Sequence, residues 1–146
     1  MDSNEQDSGC VESATPGELK RYAALLDTVN EGVMVHSADG RVVMFNRAAG
    51  DILRLSDQQL WQGEHHSLCQ RAVREDGTPF EPLDNPVQQS FASGKPLRQV
   101  VVGLKTAMES TIWLSVNTMP LFRDGESVPF EVMCTFSDIT RSILHK

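Results

Sequence analysis

The residues with chemistry to offer are few. They are His36, His65 and His66, and the cysteines Cys10, Cys69 and Cys134. His65, His66 and Cys69 would form i, i+3 or i, i+4 pairs on a helix. Zinc wants four ligands, and the spacing supplies no clear fourth. A surface loop carrying two histidines and no metal is therefore expected. An odd number of widely spaced cysteines is neither a disulfide framework nor a paired-cysteine zinc site. Reduced thiols are expected, with Cys134 a small buried hydrophobe inside an apolar strand pattern. No nucleophile elbow, phosphate loop or zinc-protease motif occurs. The carboxylates lie in turns, caps and the tail, where solvation accounts for them. No catalytic residue is assigned, and the chain is not expected to be an enzyme. An enzyme would need a water-accessible cleft with a base such as His36.

The elements that must position these groups can be read from caps and periodicity. Residues 1–14 are Ser, Asp, Glu and Gln with almost nothing to bury, and are read as a disordered acidic tail. Thr15-Pro16-Gly17-Glu18 is a capping box, and Leu19, Tyr22, Ala23, Leu26 and Val29 form a 3.6-residue stripe. A helix is expected over residues 15–31. A strand, Gly32 to Ser37, turns at Asp39-Gly40 into a second, Arg41 to Phe45. Asn46 caps a helix holding Ala48, Ala49, Ile52 and Leu53. Ser56 to Gln59 is a second capping box, opening a short helix with Leu60 and Trp61. Gln62 to Leu83 shows only a weak pattern, with a turn at Asp76-Gly77. Asn85, Pro86 and Gln88 open a further helix, which Gly94 and Pro96 close. Leu97 to Leu104, Thr111 to Phe122 and Phe130 to Phe136 read as strands. In the middle one, Ile112, Leu114 and Val116 alternate with Trp113, Ser115, Asn117 and Met119.

Strands at both ends with helices between them indicate an α+β domain: an antiparallel sheet with helices over one face and an apolar cleft beneath them. The chain has 146 residues, is 40% hydrophobic and carries a net charge of -7. That is enough apolar content for one core. The acidic balance argues against nucleic acid, whose binding rests on Lys and Arg, and against an anionic membrane surface. No apolar run reaches spanning length, and Met1 to Ser13 does not read as a signal peptide. A cytoplasmic location is expected.

Several of these features together resemble a PAS domain, the sensory fold of bacterial signalling proteins. They are Gly32-Val33-Met34-Val35 before Asp39-Gly40-Arg41-Val42, then Phe45-Asn46-Arg47-Ala48-Ala49 at a strand-to-helix corner. Trp113-Leu114-Ser115-Val116-Asn117 with Pro120-Leu121, and Asp138-Ile139-Thr140 at the exit, complete the set. The resemblance runs from about Leu25 to Thr140. It implies a five-stranded antiparallel sheet in the order 2-1-5-4-3, in a domain over residues 32–140. It also implies that Asp138, Ile139 and Thr140 relay a signal into a helix beginning at residues 141–146. In the family such a helix leads to a histidine kinase, a diguanylate cyclase or a transcription-control domain, none of which this sequence includes.

The resemblance further implies a ligand pocket formed by Met34, His36, Ile52, Val87, Phe91, Leu114, Val116, Thr118, Cys134 and Phe136. A closed core with no ligand explains the apolar members equally well. His36 and Thr118 are the exceptions, because a polar side chain facing an apolar cavity needs a partner. Strand alternation could also put His36 outside. Light-sensing members carry a reactive cysteine in an Asn-Cys-Arg-Phe-Leu-Gln run. Here His66 fills that position and Cys69 falls three residues late, so a covalent flavin adduct is not expected. Haem-binding members place a histidine on the long helix, and Asn85 to Gly94 holds none. Leu19, Tyr22 and Leu26, with Trp113 and Met119 on the sheet face opposite the pocket, are expected to form a homodimer surface. The partners expected are thus a second copy, an output domain or partner protein, and a small molecule.

Overall fold

The first hairpin follows from its turn. The structure, a computed structural model, describes residues 30–81, 83–106 and 110–144. Strands β1 (Gly32–Ser37) and β2 (Val42–Phe45) pair antiparallel. Between them Gly40 sits at φ 91°, a region glycine enters without steric cost. A register shift opposite Val35 and His36 leaves Val43 of β2 as an extra residue, a bulge in that strand. Asn46 then locks the hairpin to helix α1 (Arg47–Leu53). Its Oδ1 accepts from Val33 N at 2.9 Å and from Ala49 N at 3.0 Å, and its Nδ2 donates to the Glu31 carbonyl at 2.8 Å.

Helix α2 (Asp57–Trp61) opens on the expected capping box, with Ser56 and Gln59 each bonding the other's backbone N–H. Helix α3 (His65–Cys69) was not expected, since it lies in the stretch read as irregular. At five residues it is too short to display a 3.6-residue stripe. Helix α4 (Pro86–Ser93) is capped by Asn85 and closed by Gly94 at φ 70°. The middle of the chain therefore holds four helices rather than three.

Strands β3 (Leu97–Lys105), β4 (Thr111–Leu121) and β5 (Glu131–Asp138) complete the sheet, and helix α5 (Thr140–Leu144) follows. The strand order is β2-β1-β5-β4-β3, antiparallel at every step. This is the α+β architecture and strand order expected. The acidic tail and the helix read over residues 15–31, apart from its last two positions, lie outside the described residues.

Register decides which side chains meet beneath the helices. Gly32 pairs with Phe136, and Phe136 with Val116; Met34 pairs with Cys134, and Cys134 with Thr118. These rows face α1 and α4 and join Leu53, Leu60, Val102, Leu104, Ile112 and Leu114 in one core. Gly32 is needed there, because a Cβ would collide with the Phe136 ring. On the other face the Trp113 indole lies over Gly103 in the same manner.

Candidate functional site

The sheet and helices do not close completely. A cavity of about 130 Å³ remains between β1, β3, β4 and β5 on one side and α1, α3 and α4 on the other. Its wall is largely apolar: Met34, Leu53, Val87, Phe91, Val102, Leu104, Leu114, Val116 and Phe136, with Cys134. Among the described residues no Asp, Glu, Lys or Arg lines it. The polar groups that stand out are three imidazoles, those of His36, His65 and His66.

The β1 alternation turns His36 inward, and α3 brings His65 against it. The ring centroids are 5.3 Å apart, and His65 stands 4.1 Å from His66. His66 is exposed and contacts the Gly40 carbonyl through Nε2 at 3.2 Å, tying α3 to the hairpin turn. His36 is 8% and His65 4% exposed. The Nδ1 of His36 and both ring nitrogens of His65 are buried with no hydrogen-bond partner. Burial, reinforced by His66, holds the His36 pKa down to about 4. Burial, with His36 and His66 adding to it, takes His65 to about 3. Both rings are therefore neutral at ordinary pH, because a charged imidazole would be desolvated with nothing to compensate it. Burial pushes the Cys134 thiol up to about 12, so it behaves as a hydrophobe.

Eight of the ten residues expected at a pocket line this cavity: Met34, His36, Val87, Phe91, Leu114, Val116, Cys134 and Phe136. Two stand elsewhere. Ile52 packs, partly buried, against the core. Thr118 is buried outside the cavity and finds its partners within the protein: its Oγ1 meets Ser90 Oγ at 2.5 Å and accepts from Leu97 N at 3.2 Å. The reading of His65 and His66 as surface-loop histidines is corrected, since both are on α3 and His65 is buried. The reading missed His65, Leu53, Val102 and Leu104 as cavity lining. Leu53 follows Ala49 by one helical turn, which was a usable signal. His65 had none, because a five-residue helix shows no period.

The exit is anchored on β4. Ile139 N donates to the Trp113 carbonyl at 2.8 Å, and Trp113 N donates to Thr140 Oγ1 at 2.9 Å. Asp138 Oδ1 accepts from Thr140 N at 2.9 Å. Trp113 is half-buried and Met119 is exposed on the face opposite the cavity, while Leu19, Tyr22 and Leu26 lie outside the described residues. Among the described residues no helix is long and apolar enough to cross a membrane, and no group of three His, Cys, Asp or Glu is placed to hold a metal ion.

A family model described as PAS fold matches residues 26–146. No curated protein sequence matches. Among solved structures, the PAS domain of nitrogen regulation protein NR(II) from Vibrio parahaemolyticus aligns at 14% identity and a TM-score of 0.60, over 81% of this chain and 97% of that one. A LOV protein from Rhodobacter sphaeroides aligns at 14% identity and 0.65, over 88% and 70%. The PAS domain of the fruit-fly ELK potassium channel aligns at 16% identity and 0.60, over 84% and 97%. At such identities the likeness is one of fold.

Proposed function

The chain belongs to the PAS-fold family, and from that premise we propose that it is a sensory domain whose cavity takes a small, mostly apolar ligand and whose exit at Asp138, Ile139 and Thr140 hands the response to an output domain. One observation carries the reading. His36 and His65 of the cavity wall carry buried ring nitrogens that the protein itself leaves unpartnered. Buried polar atoms are nearly always satisfied, so such atoms in a hollow point to a guest. The reading assigns no catalytic residue.

A route for the response follows from the strand that the cavity and the exit share. Phe136 lines the cavity and lies two residues before Asp138, the last residue of β5. A ligand that shifts the Phe136 ring acts on the backbone that ends at the Trp113–Thr140 anchor. It transmits a signal only by binding one packing of sheet and helix better than another. The partner would be a histidine kinase or diguanylate cyclase domain outside this chain.

Native mass spectrometry of the purified chain, with an absorption spectrum of the same sample, tests the reading. A retained mass above the bare chain is expected. A bare, colourless dimer would overturn it in favour of a ligand-free docking module. That second reading draws on the outer sheet face of β4, where Met119 is 41% exposed and Trp113, six residues earlier, is half-buried. Those two residues, with Leu19, Tyr22 and Leu26, would then form the homodimer surface. Light scattering at high concentration checks it, and a monomer would remove it.

A further inference from the structure

The chemistry of the cavity wall narrows the class of guest, if the ligand reading above holds. We propose that the cavity is built for a small monocarboxylic acid with an apolar body of roughly one ring, its carboxyl group seated between His36 and His65 and accompanied by one proton taken up from solvent.

Size sets the body. A dry apolar cavity of about 150 Å³ admits benzene, and this one is about 130 Å³. Its apolar wall, with Phe91 and Phe136 among the lining side chains, suits a flat or branched hydrocarbon.

Charge and hydrogen bonding set the head group. A neutral imidazole carries one N–H donor and one nitrogen acceptor. Three such nitrogens of His36 and His65 lie buried without partners. A carboxyl group offers acceptor oxygens and, when protonated, a donor. It can therefore satisfy a donor on one ring and an acceptor on the other. A cation is disfavoured, because among the described residues no carboxylate lines the cavity to receive it. A dianion is disfavoured too, because among the described residues no Lys or Arg lines it and two buried protons would be needed. A monoanion needs one proton. The complex is then neutral overall, as an imidazolium–carboxylate pair or as imidazole with a carboxylic acid.

The proton count follows from the surroundings. Among titratable groups, β1 contributes His36 to the cavity wall, α3 contributes His65, His66 and Cys69, and β5 contributes Cys134. Helices α1 and α4 and strands β3 and β4 contribute none. Asp39 and Arg41 pair with each other at the exposed turn, and Glu131 alternates to the sheet face opposite Val132, the β5 neighbour of His36. With both rings neutral when the cavity is empty and the acid ionised in water, binding at pH 6 to 8 consumes one proton. The Kd should then rise about tenfold per pH unit.

Benzoate is the probe, with benzyl alcohol and benzamide as uncharged controls of similar shape. Calorimetry in two buffers of different ionisation enthalpy, at pH 6, 7 and 8, reads proton uptake directly. Nitrogen-15 spectra of the histidine rings report their protonation independently. Benzoate binding with about one proton per molecule, a tenfold weakening per pH unit and altered His36 and His65 ring signals are expected. Replacement of both rings (His36→Asn with His65→Asn, folding checked by amide spectra) should abolish the uptake. If benzyl alcohol or benzamide binds while benzoate fails, or benzoate binds without a proton, the acid proposal falls and the cavity reading stands. If no probe binds, both fall.

Discussion

Ser90–Thr118 and His36–His65 are both side-chain pairs buried between helix and sheet, the first joining α4 to β4 and the second joining α3 to β1. The hydroxyl pair is a completed chain. Leu97 N donates to Thr118 Oγ1, Thr118 can donate to Ser90 Oγ, and Ser90 Oγ donates to the Lys95 carbonyl at 2.9 Å. The imidazole pair is open, with three nitrogens unpartnered. The hydroxyls have backbone groups of a strand start and a helix end beside them. The imidazoles line a hollow whose other walls are largely apolar, with Ser37, Asn85 and Gln88 the polar exceptions. One pair holds helix to strand, and the other keeps three ring nitrogens without a partner in the protein.

The contrast can be broken by substitution. The largest effect of any single substitution is expected at Asn46, another completed polar node, whose side chain serves β1 and α1 together. Asn46→Ala removes a helix cap and strands the Val33 N–H, and should cost about 3 kcal/mol by denaturant titration. Acid has an effect at least as large and acts on the open pair. His36 and His65 have folded pKa values of about 4 and about 3. Below pH 6.5 the unfolded chain therefore binds more protons than the folded one, and stability falls as pH drops from 6.5 towards those values. From pH 7 to 5 a loss of roughly 4 kcal/mol, about 2 from each ring, is expected in the denaturation free energy. A wild-type curve that is flat over that range would show that the rings have found partners.

Thr118→Val should cost about 1–2 kcal/mol, because Leu97 N loses its acceptor in a buried place. His65→Leu should do the reverse in kind. It removes unpartnered polar atoms, so stability at pH 7 should change by less than about 1 kcal/mol, while the acid sensitivity shrinks. If His65→Leu proved as costly as Thr118→Val under the same titration, the two pairs would not differ as described.

Much of the frame was legible along the chain. Asp39-Gly40 demanded a tight turn, the capping residues Asn46, Ser56 and Asn85 announced helices, and the alternation in Thr111 to Phe122 separated the two sheet faces. Each signal depends on chemistry within a few residues, which is why it survives without a fold. That Leu114 and Val116 share a face is likewise a matter of period, while the inward placement of Met34 and Phe136 came with the family resemblance.

The rest is long-range. That His65 lies against His36, 29 positions away, depends on where α3 docks after an irregular stretch. Thr118 could face the cavity or seal a helix end, and the pairing of Leu97 opposite it chose the second. Local sequence determined the turns, the caps and the alternating faces, because those are set by backbone sterics and nearest-neighbour hydrogen bonds. Only the tertiary structure decided which buried polar atoms were satisfied and which were left open, because a hydrogen-bond partner is a neighbour in space and the sequence lists neighbours in order.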